Sequence, residues 1–110
     1  MSKDIDTLVV NNNEAEEQFE AEVNGERAFI QYHRMGERIV FIHTEVPEAL
    51  EGHGIASKLA REALEVARAQ HLIVVPLCPF VTSYIRRHPE YGSLVAAEYR
   101  ARVLEGQESG

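Results

Sequence analysis

Cys78 is the only cysteine in the chain. It lies in Ile73-Val74-Val75-Pro76-Leu77-Cys78-Pro79-Phe80, between two prolines where an apolar strand stops. Proline suits the first position of a helix, where no N–H is required, so Pro79 places Cys78 at a helix N-cap. A thiolate there faces unpaired N–H donors and the positive end of the helix, which favours the charged, nucleophilic form. The competing reading is an inert core thiol, because cysteine is among the most buried residue types. The residues alone leave both readings open.

Glu51-Gly52-His53-Gly54-Ile55-Ala56-Ser57 is the second candidate. Glycines let the backbone approach a ligand. The first turn of a helix adds unpaired N–H donors and a partial positive charge, and the combination cradles phosphate or pyrophosphate. The same residues also suit a glycine-assisted turn with no ligand. The loop is not a dinucleotide fingerprint, because the third glycine is missing, and Gly-Lys-Ser/Thr of a P-loop is absent. His43 and Glu45 form a third candidate: two apart on a strand, they are expected to share a face with Ile39 and Phe41, and the competing reading is a strand end that surfaces into solvent. A metal site is not expected. His33, His43, His53, His71 and His88 show no i,i+4 pairing, and there is no second cysteine. Ser57 and Thr82 lack a nucleophile-elbow pattern.

The elements that must hold these residues fall into two halves. Phe19, Ala21 and Val23 alternate with Gln18, Glu20 and Glu22, a strand period. Asn24-Gly25 then signals a hairpin, since both positions tolerate positive φ. A second strand follows from Glu26 to Arg34. A third covers Arg38 to Val46, and its apolar Ile39-Val40-Phe41-Ile42 predicts a central strand covered on both faces. Past this point the period changes. Ala56, Leu59, Ala60, Ala63, Leu64 and Ala67 share one face of a helix of about four turns. Lys58/Glu62 and Arg61/Glu65 form i,i+4 pairs on its wet face. A strand at Leu72 to Val75, a short helix from Pro79 to Arg87 stopped by Pro89, and a last helix from Ser93 to Leu104 complete the pattern. Asn11-Asn12-Asn13-Glu14 reads as a turn after Leu8-Val9-Val10. Residues 1–105 form one α+β domain, and 106–110 a disordered tail.

Composition sets the boundaries. The chain has 110 residues, 45% hydrophobic and 26% charged, enough for one core without staples. Its net charge of −7 repels phosphate backbones, so no nucleic-acid partner is expected. A single cysteine fits a reducing compartment. No signal-peptide core and no membrane-length apolar run is seen, so the expectation is a cytoplasmic protein with no membrane partner.

The ordered set of strand, short loop, Gly-His-Gly-Ile-Ala and an Ala/Leu-rich helix resembles the acetyl-CoA-binding motif of the GNAT-type N-acetyltransferases, Gln/Arg-x-x-Gly-x-Gly/Ala. Gly54 and Ala56 match its last two positions, and Glu51 stands where Gln or Arg is usual. Pro76-x-Cys78-x-Phe80-Val81 and His88-Pro89-Glu90-Tyr91 are similar to a minimal single-domain branch of that superfamily. The resemblance covers roughly residues 16 to 92. It implies a GNAT-like fold: an antiparallel meander, a cofactor-binding helix, a further strand and short C-terminal helices. It implies acetyl transfer from acetyl-CoA to an unidentified amine, on a small molecule or a protein. Coenzyme A would be held by Val46, Glu51, Gly52, His53, Gly54, Ile55, Ala56, Ser57, Lys58, Phe80 and Tyr84, with Lys58, Arg86 and Arg87 as cations for its phosphates. The resemblance favours the reactive reading of Cys78, which either takes the acetyl group or only orients the thioester, and it implies Glu45 or His43 as general base. His88-Pro89-Glu90-Tyr91 is read structurally, with Pro89 ending a helix and Tyr91 packing on it. The alternative is a non-catalytic module that binds CoA, acyl-CoA or a protein partner.

Overall fold

A computed structural model describes residues 8–105. The tail expected to be disordered, 106–110, lies outside the described residues. Five strands form one sheet in the order β1-β2-β3-β4-β5, with β1 Asn11–Asn13, β2 Gln18–Val23, β3 Glu26–Met35, β4 Arg38–Glu45 and β5 Ile73–Pro76. The first four are antiparallel neighbours, and β5 pairs parallel to β4 after a helical crossover. The meander, crossover and α+β class follow the sequence reading.

The hairpin turn forms where Asn-Gly predicts it, with φ of 52° at Asn24 and 81° at Gly25. Asn11–Asn13, read as a turn, is instead an edge strand paired with β2. Tertiary bonds explain the difference. The Tyr32 hydroxyl donates to Asn12 Oδ1 at 2.6 Å, and Asn13 Nδ2 donates to Glu20 at 3.0 Å. The turn falls later, where Glu17 takes a φ of 54°.

Helix α1, Ile55–Ala69, buries Ile55, Leu59, Ala60, Ala63, Leu64 and Ala67. That stripe meets Phe19, Ala21, Ala28, Ile30, Tyr32, Ile39 and Phe41 from alternate positions of β2, β3 and β4. Each large aliphatic side chain buried in this way stabilises the fold by about 1.5–3 kcal/mol before entropy is subtracted. Helix α2, Pro79–Arg87, adds Val81, Tyr84 and Ile85 to the same core. A 3-10 turn, Pro89–Leu94, and helix α3, Ala97–Glu105, close the chain, and Val95 bridges Val74 to extend the sheet.

The second face of the sheet is covered only in part: Val75 of β5 is buried and its partner Val40 is partly buried. On β4, Ile39 and Phe41 are buried, whereas Ile42 is 43% exposed. The expectation of a strand covered on both faces holds in part: Val40 is partly buried on the second face, and the exposed Ile42 is the extra residue of a bulge.

Candidate active site

The site begins where β5 leaves β4. Their last paired residues are Phe41 and Pro76. Beyond them the N–H groups of Leu77 and Cys78 both donate to the Phe41 carbonyl, at 3.0 and 2.9 Å. β4 runs on to Glu45 paired only with β3, so its other edge is open from Ile42 onward.

In the same place β4 carries a bulge. Tyr32 lies opposite Phe41, but Gln31 lies opposite His43, which leaves Ile42 as an extra residue. One extra residue reverses the side-chain alternation that follows it. Thr44, opposite the buried Ile30, turns to the core face, and its Oγ1 lies 3.0 Å from Cys78 Sγ. His43 and Glu45 turn to the open face. This corrects the expectation that they share a face with Ile39 and Phe41. Their side chains are 55% and 62% exposed, and His43 Nε2 lies 3.2 Å from Glu45 Oε1. The His43 ring meets the Phe29 ring edge-on at 6.3 Å. Thr44 has no place in the sequence reading, because strict alternation turns it away from Cys78.

Cys78 is the N-cap of α2, with Pro79 entering the first turn, as the proline spacing predicts. The thiol is 1% exposed and does not cap the helix: its partner is the Thr44 hydroxyl.

The glycine loop stands across from this pair. Gly54 is the N-cap of α1 with φ 77° and ψ 11°, and Gly52 has φ 85°. A Cβ at either would meet nothing within 4 Å, so backbone conformation rather than crowding requires glycine. No side chain caps the helix. The N–H groups of Ile55, Ala56 and Ser57 therefore have no intrahelical acceptor and carry the positive end of the dipole. They open onto a cleft of ≈ 240 Å³. Its walls are Leu50, Glu51, Gly52 and Gly54 from the loop, the first three residues of α1, Val46 and Phe80. Val46 follows Thr44 by two residues and Phe80 follows Cys78 by two. The cleft thus runs from bare amide donors to the flanks of the Thr44–Cys78 pair.

Eight of the residues named for the cofactor (Val46, Glu51, Gly52, Gly54, Ile55, Ala56, Ser57 and Phe80) line this one cleft, and His53, Lys58 and Tyr84 do not. Lys58 Nζ lies 3.8 Å from Glu62. Tyr84 is buried and stacks on His88 at 4.2 Å; burial pushes its phenol above the ordinary range. Arg86 donates from Nε to the Val103 carbonyl at 2.6 Å and from a terminal nitrogen to the Arg102 carbonyl at 3.3 Å. It thus binds the unpaired carbonyl end of α3, and it stays outside the cleft. Arg87 lies over the Tyr84 ring at 6.0 Å.

His88-Pro89-Glu90-Tyr91 is a structural corner, as read from the sequence. Helix α2 ends before Pro89, and Tyr91 lies 6.2 Å from the Tyr84 ring. Its hydroxyl donates to Glu65 Oε2 at 2.6 Å, beneath the Arg68 guanidinium at 5.0 Å. Burial, then the bond to Glu65 and that carboxylate's charge, push the Tyr91 phenol up to about 12. Glu65 is thereby drawn to Tyr91 and Arg68, and Arg61 turns to Glu62 at 3.7 Å instead. Among the described residues no group of three His, Cys, Asp or Glu is placed to hold a metal, and no helix is long and apolar enough to cross a membrane.

Comparison with known proteins bears on this geometry. The sequence model of a family described as GCN5-related N-acetyl-transferase matches residues 18–94. Protein NATD1 of Mus musculus is 39% identical over 75 residues, covering 66% of this chain and 68% of the relative. Protein NATD1 of Gallus gallus gives the same identity and coverage. Protein NATD1 of Danio rerio is 33% identical over 94 residues, 80% of this chain and 86% of the relative.

Proposed function

We propose, on the premise that the chain belongs to the GCN5-related N-acetyltransferase family, that it is an acetyl-CoA-dependent N-acetyltransferase acting on an amine. The observation that carries this reading is the cleft that joins the uncapped first turn of α1 to Val46, the residue that follows the open-edged end of β4. The residues present fit coenzyme A. Amide donors at Ile55, Ala56 and Ser57 suit a diphosphate, because they offer N–H groups and a positive dipole end in a chain of net negative charge. The free peptide groups of β4 past Phe41 suit an extended arm bearing amides. Acetyl-CoA supplies an activated thioester.

The chain's own residues then divide the work. Gly54 allows the turn that aims the amides. Val46 and Phe80 exclude water from the middle of the cleft. Thr44 and Cys78 lie behind Val46 and Phe80 rather than in the wall of the cleft, and the buried thiol supports a role in orienting the thioester rather than in taking the acetyl group. Glu45 or His43, on the open face beside the same strand edge, takes the proton of the incoming ammonium through water.

The test is thermal denaturation with CoA, acetyl-CoA and ATP, followed by intact mass after incubation with acetyl-CoA. We expect both CoA species to raise the melting temperature. A ligand at 100 times its Kd adds about 2.7 kcal/mol. We expect no acetyl adduct on Cys78. Absence of any response to CoA and acetyl-CoA would overturn the reading. The burial of Cys78 at 1% exposure also favours a second reading, a module that holds CoA or acyl-CoA without turnover. CoA stabilisation with no acetylation of any amine in a panel would select it.

A further inference from the structure

We propose that the groove between α2 and α3 is a second ligand site, and that it binds a compact amphipathic carboxylate. The groove has a volume of ≈ 190 Å³ and shares no lining residue with the glycine-loop cleft. The segment from Pro76 to Thr82 divides the two. Leu77 and Thr82 face this groove, while Phe80 faces the other cleft.

The walls specify the ligand. Leu77 is 54% exposed although its neighbours are buried, and it continues into Val103 and the Tyr99 ring. These make an apolar seat for about one ring or one short branched chain. The charges point one way. The chain carries a net charge of −7, yet among the described residues the charged ones lining this groove are Arg86 and Arg102, with no Asp or Glu. Arg86 holds the wall together by donating to the Val103 and Arg102 carbonyls. Arg102 is exposed and lies over the Tyr99 ring at 6.0 Å. A guanidinium beside an aromatic face is arranged for a planar anion, which it grips with two parallel N–H bonds. The Thr82 hydroxyl donates to the Pro76 carbonyl at 3.0 Å, so Arg102 is the donor that selects the ligand.

The test is a titration of the uniformly ¹⁵N-labelled full chain, followed by amide chemical shifts, with 3-phenylpropanoate, phenylalanine and phenethylamine. The two carboxylates are expected to shift the amides of Leu77, Thr82 and Val103 with Kd of about 1 mM, well within the limit for so few atoms. Phenethylamine, which lacks the carboxylate, leaves them unmoved. Arg102→Gln, on an exposed position that does not carry the fold, weakens 3-phenylpropanoate roughly tenfold, the loss expected for one charge-assisted pair. Leu77→Ser weakens it by a smaller factor. The proposal is overturned if the carboxylates shift nothing, if phenethylamine binds equally well, if Arg102→Gln has no effect, or if the shifts map to residues 54–57. A parallel CoA titration keeps the proposed function separate: it reports on Ile55, Ala56 and Ser57, and either site can fail alone.

Discussion

The two halves of β4 are built to opposite rules. From Arg38 to Phe41 the strand is paired on both edges, and alternate side chains are fully buried. From Ile42 to Glu45 it is paired on one edge, carries an extra residue, and turns His43 and Glu45 to solvent. The first half satisfies its peptide groups inside the sheet and contributes stability. The second leaves an edge of N–H and C=O groups unpaired beside a cleft, a liability in a sheet unless something is meant to pair there. One strand thus supplies both the anchor and the opening. The crossover through α1 makes this possible, because it lets β5 stop at Pro76 while β4 continues.

The sharpest way to test that division is to cut each half in turn. Phe41→Ala removes a side chain at 0% exposure and should cost about 3–5 kcal/mol, read as a fall in the urea midpoint. A loss below about 1 kcal/mol would mean that this half is not the anchor. Gly54→Ala comes next. It meets no atom, so its cost of about 1–2 kcal/mol is that of a left-handed residue with a Cβ. CoA binding should weaken by more than that stability loss, because the uncapped turn is re-aimed. An Ala variant that binds CoA as well as the parent would separate the loop from the cleft's function.

Tyr91 tests the closed half from outside the sheet. It ties the segment leading to Val95, which bridges to Val74 of β5, back to Glu65 on α1. Its phenol is ordinary at 10.0 when unfolded and about 12 when folded. The folded state therefore holds the proton more tightly, and the contribution is complete below pH 10. It is lost as the pH rises from 10 towards 12, where the unfolded chain binds fewer protons. Tyr91→Phe should cost about 1 kcal/mol at neutral pH and should flatten this alkaline decline. Denaturant midpoints measured at a series of pH values check both, and an unchanged slope in the Phe variant would remove Tyr91 as its source.

How much of this was legible in the sequence depends on which half is read. The closed half was written in periodicity. Phe19 and Ala21 alternate, the stripe on α1 repeats every three to four residues, and Asn24-Gly25 marks the hairpin. Pro79 gave the N-cap position of Cys78, and the two glycines gave the uncapped turn. The open half was not legible, for one physical reason. A bulge is decided by how two strands register in three dimensions, and Ile42 carries no local mark of being the extra residue. Every face assigned past it was reversed, so Thr44 was missed and His43 and Glu45 were placed inward. The asparagines of β1 were misread because their turn propensity is local, whereas Tyr32 and Glu20, which hold them in a strand, are distant in sequence. Arg86 was expected at a phosphate because a cation on a helix says nothing of the carbonyls that a later helix brings to it.

The smallest expected effect on stability makes the last distinction. Glu45 and His43 lie 3.2 Å apart with both side chains more than half exposed. Such pairs add little, because water screens them and two side chains must be ordered to make them. Glu45→Gln should therefore move the urea midpoint by no more than about 0.5 kcal/mol. It should leave CoA-induced stabilisation intact as well, since Glu45 lies on the face away from Thr44 and Cys78. If the open half serves proton transfer, the same substitution lowers amine acetylation by about 10²-fold or more, and the loss shrinks as the pH rises and more of the amine arrives already deprotonated. An equal loss at every pH would assign Glu45 to binding the acceptor's charge instead. No loss at all would leave the open edge of β4 with a ligand to hold but no acid–base work to do.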